Sequence, residues 1–325
     1  MKKLMTVLLS VLLLACSVTG CSSTQKVKDP DKLHIVTTIF PEYDWVREII
    51  KGNEENIDLD LLLKNGVDLH SYQPSTQDMV SIAEADILIY VGGQSDSWIN
   101  DAIRSSDNPD RIVIDLFDEL QDTLKPLVMT EGMEHAHEHE HEHHDHDIND
   151  EHIWLSLKRS MKAVEVIAEA VEQADPEQAS LYQSNAENYL ASLNDLDRQY
   201  QETLDQSRLD TVIFADRFPF FYMMDDYGIH YYAAFSGCSA ESEASFETVA
   251  FLSSKVDELE AKVLLTIENC THRIPETIIE NTETHGQQIL QMNSIQSVTS
   301  KQIDQGISYL EIMKSNLDIL KTALQ

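Results

Sequence analysis

The sequence predicts an α/β protein of two similar lobes, each a roughly four-stranded parallel sheet flanked by helices, joined by one long rigid helix. Three observations predict it. Short apolar runs rich in Ile and Val alternate with helix-like patterns, which is the signature of parallel α/β sheets. Each half of the 325-residue chain holds four such runs, so the halves read as similar units. Between them, no Gly or Pro interrupts residues 177–207, where apolar side chains recur at spacings of three and four.

In the first half, strands are expected at 33–38, 57–63, 87–91 and 111–116, with helices at 43–51, 76–85 and 97–105. The connecting helix opens on Asp175 as N-cap, Pro176 at the first helical position and Gln178 completing a capping box. Its apolar stripe includes Tyr182, Ala186, Tyr189, Leu193, Leu196, Tyr200 and Leu204, and it would span roughly 45 Å. A coiled-coil dimer is the rival reading, but the stripe is too short and irregular for one. In the second half, strands are expected at 211–215, 229–233, 263–267 and 288–292. Helices are expected at 246–260 and 274–283, with one closing helix over 300–324. The resulting segments are a signal peptide (1–20), a tether (21–31), a first lobe (32–174), the connecting helix (175–207) and a second lobe (208–325).

The N-terminus carries a targeting pattern. Lys2 and Lys3 precede an apolar run over 4–15 that is too short for an ordinary membrane span. Val18-Thr19-Gly20-Cys21 then looks like a bacterial lipobox, with Cys21 as the lipidated residue and Cys16 as a second candidate. The body is therefore expected outside the cytoplasm, anchored by lipid to the outer face of the bacterial cell membrane. Fifty-seven acidic residues against 23 basic ones give a formal net charge of -34. That argues against nucleic acid, whose phosphates need basic patches, and suits cations.

Seven of the 13 histidines lie between His135 and His146: His135, His137, His139, His141, His143, His144 and His146. They alternate with Glu and Asp inside a loop over 134–147. Imidazole and carboxylate are the usual ligands of zinc and its divalent neighbours, and such a run cannot build an apolar core. It reads as a metal-gathering tether. A zinc-protease motif is embedded in it, His139-Glu140-His141-Glu142-His143, but that motif works only on a packed helix. His152 differs, because Ile153, Trp154, Leu155 and Leu157 follow it and could fix its backbone. Cys238 and Cys270 could form a disulfide, supply a thiolate ligand or stay as buried thiols.

Several stretches together resemble the zinc/manganese solute-binding proteins of bacterial ABC importers, the high-affinity zinc-uptake protein A-like family. They are Ile35-Val36-Thr37-Thr38-Ile39-Phe40-Pro41, Asp68-Leu69-His70-Ser71-Tyr72, Tyr90-Val91-Gly92-Gly93 with Trp98, Asp150-Glu151-His152-Ile153-Trp154-Leu155, and Gly237-Cys238-Ser239-Ala240-Glu241. The resemblance covers nearly the whole body. It implies one metal ion held between two lobes, with His70 and His152 as ligands from the first. The family's second lobe normally adds a His or Glu after its first strand and a carboxylate after its last. This chain has Ala215-Asp216-Arg217 at the first place and Met292-Asn293-Ser294 at the second. Asp216 is the first substitute, followed by Cys238, Glu243 and Glu268. His230 is expected inside a strand as a packed histidine.

The expectation is a monomeric, non-enzymatic protein that captures zinc and passes it to an ABC permease and its ATPase. Histidine donors favour Zn2+ over Mn2+, while Ni2+ would also bind. A metal-binding adhesin or storage lipoprotein without a transporter is the alternative, as is a manganese- or nickel-specific importer component.

Overall fold

The computed structural model describes residues 29–106, 108–134, 149–237, 243–271 and 273–325. The signal segment with Cys21, the histidines from His135 to His146, and Cys238 lie outside the described residues.

Four parallel strands, β1 (Leu33–Thr37), β2 (Ile57–Leu61), β3 (Ile87–Tyr90) and β4 (Ile112–Asp115), form the first sheet in the order β2-β1-β3-β4. The second sheet repeats that plan. Its strands β5 (Thr211–Phe218), β6 (His230–Ser236), β7 (Val263–Thr266) and β8 (Gln288–Gln291) stand in the order β6-β5-β7-β8, again all parallel. Parallel sheets covered on both faces need apolar runs rather than alternation, and β3 (Ile-Leu-Ile-Tyr) is buried at every position. The helices of the first lobe include α1 (Phe40–Ile49), α2 (Thr76–Glu84) and α3 (Trp98–Ser105). Pro41 at the start of α1 and the Ser75–Asp78 capping box of α2 set their first turns.

Two helices then run in succession, α4 (Leu157–Ala174) and α5 (Ala179–Leu204), and pack against each other. The sequence reading assigned no helix to 157–174, although Val164, Ile167 and Val171 are all buried on one face. It also began the connecting helix at Asp175. Asp175 instead ends α4, because its carboxylate accepts hydrogen bonds from the Tyr182 hydroxyl (2.7 Å) and Asn53 Nδ2 (3.3 Å). The rod is 26 residues long, about 39 Å at 1.5 Å per residue.

The second lobe adds α6 (Phe221–Tyr227), α7 (Phe246–Glu258) and α8 (Arg273–Glu280). The expected single closing helix is two: α9 (Ser300–Asp304) and α10 (Tyr309–Ala323). Gly306 breaks it with φ +84, and Ser308 and Glu311 form a new capping box that starts α10. Among the described residues no helix is long and apolar enough to cross a membrane.

One buried cluster runs from the first sheet through α4 and α5 into β5, β7 and α10, so the lobes share a core. At its centre Trp154 is buried and donates from Nε1 to the Ser294 carbonyl at 2.8 Å. The Tyr309 hydroxyl donates to the Trp154 carbonyl at 2.7 Å. These contacts fix the segment just after His152, part of the first lobe, to the second lobe.

Candidate metal centre

His70 and His152 arrive on two copies of one local device, Asp-x-His. In the first, the Asp68 carboxylate accepts from the His70 backbone N–H at 2.9 Å and caps a short turn over Leu69–Ser71, with Leu69 buried beneath it. In the second, Asp150 Oδ1 accepts from the His152 backbone N–H at 2.9 Å and faces His152 Nδ1 at 3.0 Å. An Asp side chain that bonds its own backbone two residues on makes a stiff turn, which fixes the ring that follows. Ile153, Trp154 and Leu155 are all buried and hold the second turn in place.

The two rings face each other. Nε2 of His70 lies 3.1 Å from Nε2 of His152, with ring centroids 5.2 Å apart. Two imidazole nitrogens each roughly 2.0–2.1 Å from one tetrahedral zinc ion stand about 3.3 Å apart, so the pair fits a shared zinc with little movement. Each outer ring nitrogen also has a partner: Asp150 for His152, and Ser95 Oγ at 2.7 Å for His70. Burial, and after it the neighbouring His152, push His70 down to about 4, which keeps the ring neutral and able to ligate.

The second lobe closes over the pair without supplying a ligand among the described residues. Gly237 lies against His152, since a Cβ there would stand 2.7 Å from the ring's Cε1. Arg217 Nη1 donates to Asp68 Oδ2 at 3.2 Å, and the Tyr222 hydroxyl donates to the Asp150 carbonyl at 2.8 Å. Each Asp-x-His turn is therefore held from the opposite lobe.

The remaining candidates stand elsewhere. Asp216 was expected in a loop after its strand, but β5 continues through Phe218 with a bulge between Phe214 and Arg217. There its carboxylate accepts the Arg217 and Ile267 N–H groups at 2.8 and 3.2 Å. Glu268 is bound by Ser294, through the backbone N–H at 2.8 Å and the hydroxyl at 2.6 Å. Glu243 is exposed and 3.8 Å from Arg273. His230 opens β6 and is exposed rather than packed. No three or more His, Cys, Asp or Glu side chains converge on one point among the described residues. Cys238, which follows Gly237 in the chain, lies outside them, as does any test of its pairing with Cys270. Glu134, expected as the first residue of the histidine-rich tether, belongs to the body: it bridges Phe235 in parallel, donating its N–H to the Ala234 carbonyl at 2.9 Å.

Sequence reasoning missed Ser95, Asp150, Tyr222 and Gly237 as parts of the site. The repeated Asp-x-His spacing could have found Asp150. Nothing in the sequence marks Ser95, which reaches His70 only through the fold.

Fold and site together define a two-lobed metal-binding transport protein of the solute-binding class. The chain belongs to the family described as zinc-uptake complex component A, periplasmic, whose model matches residues 35–323. It is 31% identical over 318 residues to the high-affinity zinc uptake system protein ZnuA of Bacillus subtilis (strain 168), covering 97% of this chain and 94% of that one. It is 29% identical over 321 residues to the zinc-binding lipoprotein AdcA of Streptococcus pneumoniae (strain R6), but spans only 61% of that longer protein. The solved metal-dependent lipoprotein YcdH from Bacillus subtilis superposes with a TM-score of 0.73 at 27% identity, covering 90% of this chain and 99% of that one.

Proposed function

We propose that this chain captures a zinc ion between its lobes through His70 and His152 and delivers it to an ABC permease. The observation that carries the reading is the 3.1 Å approach of the two Nε2 atoms, each backed by a hydrogen-bond partner on the other ring nitrogen. Such outer partners fix the ring and raise its basicity as a ligand. The zinc-uptake names of the Bacillus and Streptococcus relatives support the same reading. Two histidines leave a tetrahedral ion short of ligands.

The reading is of a carrier that makes and breaks no covalent bond. The lipobox-like Cys21 would tether it as a monomer beside the permease. The histidines of 135–146, with many equivalent donors, would raise the local zinc concentration. Metal-loaded crystals, scanned for anomalous scattering across the zinc edge, test the assignment. One strong zinc peak between His70 and His152 is expected, and a peak elsewhere in the folded body would refute the ligand pair.

A further inference from the structure

The second ring nitrogen of His70 raises a question that the proposed zinc site leaves open. Two imidazole nitrogens 3.1 Å apart permit two hydrogen arrangements. Both are bare and face one cation, or one carries a hydrogen and donates it to the other. A carboxylate only accepts, so Asp150 Oδ1 keeps the hydrogen of His152 on Nδ1 and its Nε2 bare in both arrangements. His70 is then the ring that exchanges. Without a cation its Nε2–H points at His152 and its Nδ1 is bare. With a cation its Nε2 is bare and Nδ1 carries the hydrogen. The exchange leaves the charge of the ring unchanged.

The partner of His70 Nδ1 must therefore donate in one arrangement and accept in the other. A carboxylate could not do this, whereas a hydroxyl does both. The partner is Ser95 Oγ, at 2.7 Å. Its position is built. The Glu151 carboxylate accepts the Ser95 backbone N–H at 3.1 Å, and that of Gln94 as well. Gly93, at φ +78, lets the Glu151 side chain pass where a Cβ would stand 3.0 Å from it. Asp96 Oδ2 closes the same loop by accepting from Val91 N at 3.0 Å. Glu151 lies between Asp150 and His152, so one three-residue segment carries a ligand, that ligand's partner, and the clamp on the other ligand's partner.

We infer that Ser95, held by Glu151, is a positioning residue whose hydroxyl keeps His70 aimed at His152 through both ring tautomers as zinc enters and leaves. The inference rests on the proposed zinc site.

The test is long-range proton–nitrogen NMR on protein with 15N-labelled histidine, with zinc chloride as the probe, beside chelator-competition affinities. In the natural protein the metal-free His70 should show Nε2–H, and zinc should convert it to Nδ1–H. Ser95→Ala should give a mixture of tautomers in the metal-free protein and a roughly 10- to 100-fold weaker zinc affinity. Ser95→Thr should restore both. Unchanged tautomers and affinity in Ser95→Ala would overturn the inference while leaving the zinc site standing. So would a loss that Thr does not rescue, accompanied by a lowered melting temperature. Zinc that leaves both ring signals of the natural protein unmoved would instead overturn the proposed site, and the inference with it.

Discussion

Gly237 stands so close to His152 that a Cβ would lie 2.7 Å from the ring's Cε1 and 2.9 Å from the Phe218 carbonyl oxygen. The second lobe thus braces a ring that the first lobe carries. Gly237→Ala should push the ring or the backbone aside. Overpacking of this kind costs on the order of 1–3 kcal/mol in stability, and the ring's displacement should weaken zinc binding at least tenfold. Calorimetry and thermal melting on the variant check both figures, and an unchanged affinity would mean that this contact does not set the ring.

The metal-free protein should lose stability in acid through His70. Its folded pKa is pushed from 6.5 to about 4, by burial first and by His152 second. Above 6.5 folded and unfolded chains are both neutral there, so nothing is lost. As pH falls from 6.5 to 4, the unfolded chain takes a proton that the folded one refuses, and up to roughly 3 kcal/mol disappears. His70→Ala should flatten that part of the pH–stability curve. An NMR titration should place the His70 midpoint near 4, and a midpoint near 6.5 would contradict the account.

Asp96 should act in the opposite sense. It is fully buried, and burial pushes its carboxyl up from 3.8 to about 7, helped by Glu151 and Asp115. A raised carboxyl pKa leaves stability intact below about 4 and removes it as pH rises through 7. At roughly 1.4 kcal/mol per pH unit the cost approaches about 4 kcal/mol by pH 8. Asp96→Asn keeps an oxygen for the Val91 and Gly92 N–H groups and cannot ionise. Denaturant melts should show the variant gaining on the natural protein as pH rises from 5 to 8. A constant difference across that range would show that Asp96 does not titrate there.

Much of the fold was legible because strand identity here depends on short apolar runs. All eight expected strands exist, with ends shifted by a few residues. The shift that mattered was at β5, which runs on past Asp216 through a bulge. Bulges depend on pairing to distant strands and leave no local mark. The helix α4 carries its own apolar stripe at Val164, Ile167 and Val171, whereas Gly306 sits inside an otherwise regular one. Of the candidate site, His70 and His152 came from the resemblance of their motifs, and His152 also from the apolar Ile153, Trp154 and Leu155 that follow it. Ser95 lies 25 residues from His70, Tyr222 72 residues from Asp150 and Gly237 85 residues from His152, and only folding brings them there.

The central claim is that the histidine pair, and not the histidine run, is the tight site. Ordering a loop costs roughly 1–2 kcal/mol per residue in backbone entropy, so a run with many equivalent ligand sets should bind weakly and in variable number. His70 and His152 are already set by Asp68 and Asp150 and have little left to order. Deleting 135–147 while keeping Glu134, which is part of the body, separates the two. The decisive measurement is zinc calorimetry on three proteins: the natural chain, the 135–147 deletion, and His70→Ala with His152→Ala. The account predicts two classes of zinc in the first, one tight ion in the second, and only the weak class in the third. Loss of the tight ion in the deletion, with its survival in the double variant, would contradict it.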